Sequence, residues 1–484
     1  MADCTRRGED GPDHHRHFLR FTLQCRTMAE YGPDACLAGM LALAGDDRWR
    51  IDADRVVPCV TAYAVRSFDG DALRFCIPLL VRRPITREIP LDNRGSAGAV
   101  ALIIERIKQQ AGTDPALGPL AGQGTRFPQH YASTVEPYTL VASPAALASD
   151  LWHAGDRNFA DHDGVHLLLC GAVPFPPVCT GADPGRITET AARLCDAVAA
   201  RVFSLPARVL EAAWITALDQ QLVRQRLPLL GLVSFVGDGA HPARHCTRYR
   251  CFFRTAGPKT GVNVPFTCPP ELEPVELDLA ASGRTVTGLG IRKREVFAVA
   301  GSNAQGKTTF LEGIIAGMDD HAAGDGRELV VTVHGQESAE AVNCQLAGAD
   351  VSMFFSSLPP GMSGTPRAAC GMGSGSMTMA HQVQRAVARH APLLIIDEDR
   401  AAPNLLVKSA LQTGEVTPLS EILARDRGRM GETTLVFAAC AMDTLIAQAD
   451  RIMVLDRHLA SAVSRGEFRR RVAETLSRMA ADLS

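Results

Sequence analysis

Apolar residues follow two different spacings along the chain, one before and one after about residue 270. In the first part, helical spacing over residues 99–110 and 187–203 alternates with turn-rich segments. Residues 229–235 form an apolar run that is typical of a buried strand. This mixture predicts an α+β region.

After residue 270, short apolar runs recur between helical segments. Two strands joined by Gly283 come first. The later predicted strands are residues 295–300, 328–335, 392–399, 433–440 and 452–456. Strands that alternate with helices favour parallel pairing, with helices on both faces of one sheet. This part of the chain is therefore predicted to be an α/β core.

A glycine-rich segment follows the strand at residues 295–300 and fits the pattern G-x-x-x-x-G-K-[ST]. Glycines let the backbone curve closely, so that amide N–H groups and the positive end of the next helix can point at phosphate oxygens. Lys307 would reach the β- and γ-phosphates, and Thr308 would place a hydroxyl on Mg²⁺. The alternative is a glycine loop without a ligand. The predicted ATP-binding residues are Gly301, Ser302, Asn303, Ala304, Gln305, Gly306, Lys307, Thr308 and Thr309.

Two acids end the apolar run at residues 393–396. Asp397 would act with Thr308 at Mg²⁺, and Glu398 would be the catalytic residue that polarises the water attacking the γ-phosphate. Taken alone, two acids at a strand end could equally cap the following turn. Together with the glycine loop they predict a nucleotide-hydrolysing site.

A second Gly/Ser segment, Ser374, Gly375 and Ser376, lies 23 residues before Asp397 and opens an apparent helix. A serine and free amides at a helix N-terminus can bind phosphate. This layout resembles the ABC ATPases, in which a Ser-Gly signature contacts the γ-phosphate bound by the other subunit of a head-to-tail pair. The alternative is an ordinary loop.

The chain also resembles a narrower group, the "predicted ATPases of the ABC class" of bacteria and kinetoplastid mitochondria. The matching blocks are residues 231–244, 264–273, 286–291, 301–311, 324–332, 373–380 and 395–406. The resemblance implies a dimeric ABC core, RNA binding, an accessory role in mitochondrial RNA editing or processing, and a place in a larger RNA-processing assembly. It is also the basis for expecting the mitochondrial matrix, with the cytoplasm as the alternative.

The sequence departs from the ABC pattern in two places that bear on chemistry, and the first is Met377 or Met379, which stands where the signature usually has glutamine. Where ABC proteins place a γ-phosphate-sensing histidine after the next strand, this chain has residues 437–440, Phe-Ala-Ala-Cys. Losing one transition-state donor typically costs about a hundredfold in rate. We therefore expect slow hydrolysis. Gln345 is the candidate for the glutamine that ABC proteins place near the site.

Composition and charge exclude several classes of protein. The chain has 484 residues, a formal net charge of −3 and 46% hydrophobic residues, so any nucleic-acid partner must meet a local basic patch. The 14 cysteines form no CxxC pair, which indicates reduced thiols rather than disulfides or zinc. We expect an intracellular protein without a secretory signal or membrane span. The sequence lacks the Asn-Lys-x-Asp motif expected of a GTPase.

The clearest basic patch alternates arginines with aromatic residues over residues 243–254. Such alternation would put charge on one face for phosphates and rings on the other. A solvated strand edge over an aromatic core explains the same pattern. The candidate RNA contacts are Arg244, Arg248, Arg250 and Arg254.

These observations predict an α/β P-loop ABC-type ATPase core, a mostly parallel sheet flanked by helices, with an N-terminal α+β region. The predicted domains are residues 1–160 (possible nucleic-acid binding), 161–270 (a joining α+β domain), 271–465 (the ATPase core) and 466–484 (a C-terminal helix). The predicted activity is an ATPase that uses ATP and Mg²⁺ at a homodimer interface and clamps RNA. The alternatives are a nucleotide-gated scaffold with negligible hydrolysis, or a transporter-associated ATPase subunit.

Overall fold

The computed structural model describes residues 19–21, 62–66, 72–121, 152–155, 158–174, 183–244, 262–410 and 414–482. These residues form two compact units, the first holding the described residues up to Leu218 and the second those from Asp219 onward. The boundary predicted at residue 270 does not coincide with this division, because residues 232–237 pair with strands of the second unit rather than the first. The boundary predicted at residue 160 falls inside the first unit.

The first unit contains an antiparallel sheet of five strands in the order β1-β2-β3-β5-β4. The strands are β1 Leu19–Phe21, β2 Ala62–Arg66, β3 Ala72–Val81, β4 Phe159–Ala160 and β5 Val165–Pro174. The helices are α1 Ile85–Glu88, α2 Ser96–Ala111 and α3 Asp183–Ser204, and α4 Ala207–Arg226 includes the boundary between the units. The helices predicted at residues 99–110 and 187–203 are thus confirmed. Along α3, Leu194, Val198 and Val202 are fully buried, as their spacing predicts.

A six-stranded sheet forms the centre of the second unit. Its order is β11-β15-β16-β9-β17-β18, and every pair is parallel except the last. The strands are β9 Val296–Ala300, β11 Glu337–Ala339, β15 Leu393–Asp397, β16 Thr434–Ala439, β17 Arg451–Asp456 and β18 Leu459–Val463. The predicted α/β core with a mostly parallel sheet is confirmed. β9 and β16 are buried along their whole length, which explains why their sequences are continuously apolar.

Two antiparallel sheets accompany the parallel one. The first has four strands in the order β10-β6-β8-β7, and the second has three in the order β12-β14-β13. Their strands are β6 Leu232–Gly237, β7 Val275–Leu279, β8 Arg284–Arg292, β10 Val330–Thr332, β12 Cys344–Ala349, β13 Ser363–Thr365 and β14 Ala368–Gly373. The strand predicted at residues 328–335 therefore exists as β10, but it pairs antiparallel with β6 instead of extending the parallel sheet.

Six α-helices complete the described part of the second unit. They are α5 Lys307–Ala316, α6 Gly375–Ala388, α7 Pro403–Leu406, α8 Leu419–Arg425, α9 Asp443–Ile446 and α10 Arg465–Asp482. One apolar cluster packs one face of the parallel sheet against α6, α8 and α9, and a second packs the other face against α5 and the four-stranded sheet. The predicted C-terminal helix is confirmed as α10.

Candidate nucleotide-binding site

The candidate site lies at the carboxyl-terminal edge of the parallel sheet. β9, β15 and β16 are parallel neighbours, with Asp397 opposite Ala438 and Ala439 opposite Ala300 in the register. The segments that leave these three strands therefore start side by side. Ligands of open parallel sheets bind at this edge.

The loop between β9 and α5 has the backbone that its glycines require. Gly301 and Gly306 have φ angles of +141° and +101°, and Ala304 is left-handed at +60°. A Cβ on Gly301 would lie 2.4 Å from the carbonyl oxygen of Leu455, and one on Gly306 would lie 2.2 Å from Nδ1 of His458. A larger residue at Gly301 would therefore clash with backbone, and one at Gly306 would clash with the His458 ring and take a φ that L side chains rarely adopt.

The turn between β17 and β18 supports this loop from the side. The Gln305 side chain accepts a hydrogen bond from the backbone N–H of Arg457 at 2.6 Å, and the Gln305 carbonyl accepts one from the N–H of His458 at 3.0 Å. Both turn residues have left-handed φ angles, 49° and 66°. No motif pointed to this contact, because the turn lies about 150 residues further along the chain.

Lys307 begins α5 with its ammonium inside the loop. Its Nζ donates to the carbonyl oxygens of Gly301 at 2.9 Å and Ser302 at 2.8 Å, and the residue is 8% exposed. Among the residues that the structure describes, no carboxylate pairs with this ammonium. A buried cation bonded only to carbonyl oxygens fits an anionic ligand such as a triphosphate.

Thr308 and Asp397 meet across the sheet edge. The Thr308 hydroxyl is hydrogen-bonded to the Asp397 carboxyl group, and burial raises the pKa of Asp397 despite this bond. A hydroxyl and a half-buried carboxylate at this place offer the hard oxygen ligands that Mg²⁺ prefers. The residues present therefore fit a magnesium-bound phosphate.

Glu398 lies directly beside this pair, and its carboxylate is held by backbone groups. It accepts a hydrogen bond from the N–H of Cys440 and a longer contact, 3.4 Å, from the N–H of Ala441. These two residues follow β16, where the sequence lacks the expected histidine. Backbone N–H groups thus orient the predicted catalytic carboxylate in this structure.

The signature segment forms the start of α6. Ser374 is the N-cap residue, is exposed, and its hydroxyl does not cap the helix. A Cβ on Gly375 would lie 3.0 Å from that of Ala341, so the helix start is closely packed. The Ser376 hydroxyl instead donates to Oδ1 of Asn404 at 2.8 Å within the same chain. Ser374 is therefore the more exposed of the two serines in the segment.

The structure buries one of the RNA candidates. Arg244 is 6% exposed, and its guanidinium donates to the carbonyl oxygens of Asp325 and Ala243 and, at 3.2 Å, to Oδ1 of Asn263. It holds loops of the second unit together, so its predicted contact with phosphate is wrong. The other candidates, Arg248, Arg250 and Arg254, lie outside the described residues.

Sequence reasoning missed an acid and an arginine at the sheet edge. Glu340 follows β11 and accepts a hydrogen bond from Nη1 of Arg400 at 2.8 Å. β11 has only three residues and no continuous apolar run, so its pairing with β15 could not be read from the chain. Gln345, the residue considered for this region, is exposed on β12 of the three-stranded sheet.

Known proteins resemble this chain to different degrees. A family model described as "ABC_ATPase: P-loop domain" matches residues 206–482. The "Uncharacterized protein MJ1628" of Methanocaldococcus jannaschii is 36% identical over 409 residues, which cover 84% of this chain and 89% of that protein. A solved metal-chelate type ABC transporter in an inward-facing conformation is 15% identical with a TM-score of 0.26, and the match covers 40% of this chain and 81% of that one. The family model, rather than this low structural likeness, carries the assignment.

No helix within the described parts of the chain is both long enough and apolar enough to cross a membrane.

Proposed function

This chain belongs to the ABC ATPase family of P-loop proteins, and on that basis we propose that it binds Mg²⁺–ATP at residues 301–309 and hydrolyses it with Glu398 as general base. One observation carries the proposal: the parallel sheet brings Lys307, the Thr308–Asp397 pair and Glu398 to the same edge. Family membership supports nucleotide binding. Hydrolysis and its consequences are the proposed part.

Each residue at the edge has a distinct task in this proposal. Lys307 exchanges the loop carbonyls for phosphate oxygens and neutralises their charge. Thr308 and Asp397 would hold Mg²⁺, which supplies charge neutralisation on the β- and γ-phosphates. Glu398 takes a proton from the attacking water, and the N–H groups of Cys440 and Ala441 set its orientation.

We further propose that two copies close head to tail over the nucleotide. The support is Ser374, an exposed residue at the N-terminus of the 14-residue helix α6 whose side chain is not used as a cap. A γ-phosphate from a second copy would meet that hydroxyl and the positive end of the helix. Closure would then depend on the triphosphate.

The proposed partner is RNA, clamped when the pair closes. The support is the resemblance to the group that contains an RNA-editing accessory factor, together with Arg248, Arg250 and Arg254. A role in RNA editing or processing within a larger assembly belongs to the same proposal. An intracellular location, the mitochondrial matrix or alternatively the cytoplasm, stays a prediction from that resemblance.

A second candidate is a nucleotide-gated scaffold with negligible hydrolysis. The observation that favours it is the sequence of residues 437–440, Phe-Ala-Ala-Cys, which lacks the histidine that would sense the γ-phosphate. Single-turnover hydrolysis with excess protein separates the two candidates. ATP cleavage that is lost in Glu398→Gln supports the enzyme, and cleavage at the background rate in both proteins supports the scaffold.

The clamp is tested by RNA binding to the Glu398→Gln protein with and without Mg²⁺–ATP across a salt series. We expect retention to need ATP and to fall with salt, with a slope of a few phosphates. Glu337→Gln is the matched control, because Glu337 lies at the opposite end of β11 from the site and pairs with Arg385. Equal RNA affinity in both nucleotide states would refute the clamp.

A further inference from the structure

An arginine with two acidic partners lies next to the Mg²⁺ and phosphate residues. Arg400 follows Asp397 by three residues, and its guanidinium is 2.8 Å from Oε1 of Glu340 and 3.6 Å from Oε1 of Glu312. The side chains of Arg400 and Glu340 are 33% and 42% exposed, whereas that of Glu312 is 8% exposed. The arginine therefore has one buried partner and one partner that faces solvent.

The three side chains come from three elements of the site. Glu312 lies one helical turn after Thr308 on α5, the helix that begins at Lys307. Glu340 directly follows β11, and because Ala339 pairs with Ile396, Glu340 stands beside Asp397 at the sheet edge. Arg400 belongs to the turn that leaves β15. The positive charge is thus held where the phosphate loop, β11 and β15 converge.

Electrostatics places this charge within reach of the metal-binding carboxylate. The hydrogen bond to Glu340 is the largest cause that raises the pKa of Arg400, followed among the favourable causes by the charges of Glu340, Glu312 and Asp397. In return, the charge of Arg400 lowers the pKa of Asp397, although burial keeps that pKa raised overall. The guanidinium therefore interacts with the residue that would bind Mg²⁺.

The backbone around the arginine is fixed, so only its side chain is able to exchange partners. The Arg400 carbonyl accepts a hydrogen bond from the N–H of Ala341 at 2.7 Å. The N–H of Glu340 donates to Oε1 of Gln382 at 2.7 Å, and Gln382 lies on α6, the helix that Ser374 begins. These two hydrogen bonds hold the backbone in place on both sides of the Arg400–Glu340 pair.

We propose that Arg400 distinguishes ATP from ADP: its guanidinium exchanges Glu340 for the γ-phosphate while Glu312 keeps it at the sheet edge. This inference rests on the proposed ATP site. A guanidinium binds a doubly charged terminal phosphate more strongly than a half-exposed carboxylate, since phosphate offers more acceptors and more charge. Glu340 then acts as the competing partner that holds Arg400 when no γ-phosphate is present.

Because Glu340 and the γ-phosphate compete for Arg400, removing the arginine and removing the Glu340 charge should change the affinity for ATP in opposite directions. Without Arg400 the γ-phosphate loses one charged hydrogen-bonding partner, so Arg400→Met should weaken ATP binding about tenfold and leave ADP binding within about twofold. Without the Glu340 charge the arginine is released, so Glu340→Gln should strengthen ATP binding relative to ADP. A purely structural ion pair would predict losses of the same sign for both substitutions.

The experiment measures dissociation constants for Mg²⁺–ATP and Mg²⁺–ADP by titration calorimetry in the Glu398→Gln background, which prevents turnover. Arg385→Met is the matched control, because Arg385 pairs with Glu337 at the other end of β11, 3.0 Å away. We expect its ATP-to-ADP ratio to equal that of the background protein. Arg400→Lys, which keeps the charge with fewer donors, should fall between the background and Arg400→Met, and it carries the test if Arg400→Met does not fold.

Two outcomes overturn the inference. The first is that Arg400→Met and Arg400→Lys each change the affinities for ATP and ADP by the same factor. The second is that Glu340→Gln weakens ATP binding. Failure of the proposed function gives a different result, in which the background protein itself binds neither nucleotide. If the background binds both nucleotides and the arginine variants keep its ATP-to-ADP ratio, only the inference about Arg400 fails.

Discussion

Acidification from pH 7 to pH 5 should destabilise the second unit through one buried histidine. His321 is 1% exposed and follows α5 by a few residues. Its ring Nε2 contacts the carbonyl oxygen of Ala316 at 3.0 Å, and its backbone N–H and C=O both bond the Gln220 side chain. Burial, and then the positive charge of Arg327, lower the pKa of His321 to about 4, although the Asp325 carboxylate, whose Oδ1 lies 3.6 Å from the ring Nδ1, acts to raise it.

The sign and size follow from linkage. The His321 side chain takes up a proton near pH 6.5 in the unfolded chain but only near pH 4 in the folded protein. The stability that depends on a neutral His321 is therefore fully present above pH 6.5 and is lost as the pH falls from 6.5 to 4. The full difference between the two pKa values corresponds to about 3 kcal/mol of unfolding free energy, of which about 2 kcal/mol is lost between pH 7 and pH 5. Other titrating groups contribute as well, and a histidine variant is needed to isolate this one.

The perturbation is His321→Gln, whose amide is able to replace the ring Nε2–H donor to Ala316. We expect the variant to be less stable than the wild type at pH 7, and the difference in unfolding free energy to shrink by about 2 kcal/mol at pH 5. The matched control is His162→Gln, because the His162 side chain is 74% exposed and should leave the pH dependence unchanged.

The assay must report on the second unit. Trp152 and Trp214, the tryptophans among the described residues, both belong to the first unit, so their fluorescence follows that unit. Hydrogen exchange of amides in β9, β15 and β16, measured at pH 7 and pH 5 and corrected for intrinsic rates, gives the required free energies. If the unfolding free energies of the wild type and the variant differ by the same amount at both pH values, the conclusion that His321 is buried in its neutral form is refuted.

Three further predictions concern Gly306, Asp397 and Arg244. Gly306→Ala should abolish ATP binding in calorimetry, because its Cβ would lie 2.2 Å from the His458 ring at a φ of +101°. The double variant with His458→Ala should regain little ATP binding, since the backbone strain stays. Full recovery of ATP binding would contradict this. Mg²⁺-dependent ATP affinity should fall on acidification at a higher pH than for an ordinary aspartate, because the pKa of Asp397 is raised and the protonated carboxyl group does not bind Mg²⁺; an affinity that is constant down to pH 4.5 would disagree. Arg244→Met should lower the unfolding free energy of the second unit by about 2 kcal/mol or more, since it leaves buried acceptors such as the Asp325 carbonyl unpaired, and RNA binding per folded molecule should not change.

Local sequence patterns predicted the phosphate loop well because its chemistry is contiguous. Residues 301–309 determine their own backbone path through glycines, and α5 begins where the lysine of the motif stands. The buried strand that carries Asp397 was also readable, because both of its faces are covered and its residues are continuously apolar. The helices at residues 99–110 and 187–203 were predicted from periodicity for the same kind of local reason.

Exposure was harder to predict than secondary structure. Alternation of arginines and aromatic residues suggested a surface patch that included Arg244, yet the structure buries this arginine against the loop carrying Asp325. From sequence alone an arginine is predicted to be exposed, because a guanidinium is buried only where distant segments supply hydrogen-bond acceptors. Here the Asp325 carbonyl lies 81 residues away.

The class of site is specified by local residue patterns: a loop that bends to bind phosphate, followed about ninety residues later by a strand that ends in two acids. Which other groups join these residues depends on how the strands are arranged in the folded protein. Strand order placed Glu340 beside Asp397 and brought Arg400 to it, and it assigned β10 to the antiparallel sheet. The physical reason is that a strand's own residues specify that it is extended and buried, whereas its neighbour is selected by the packing of the whole sheet.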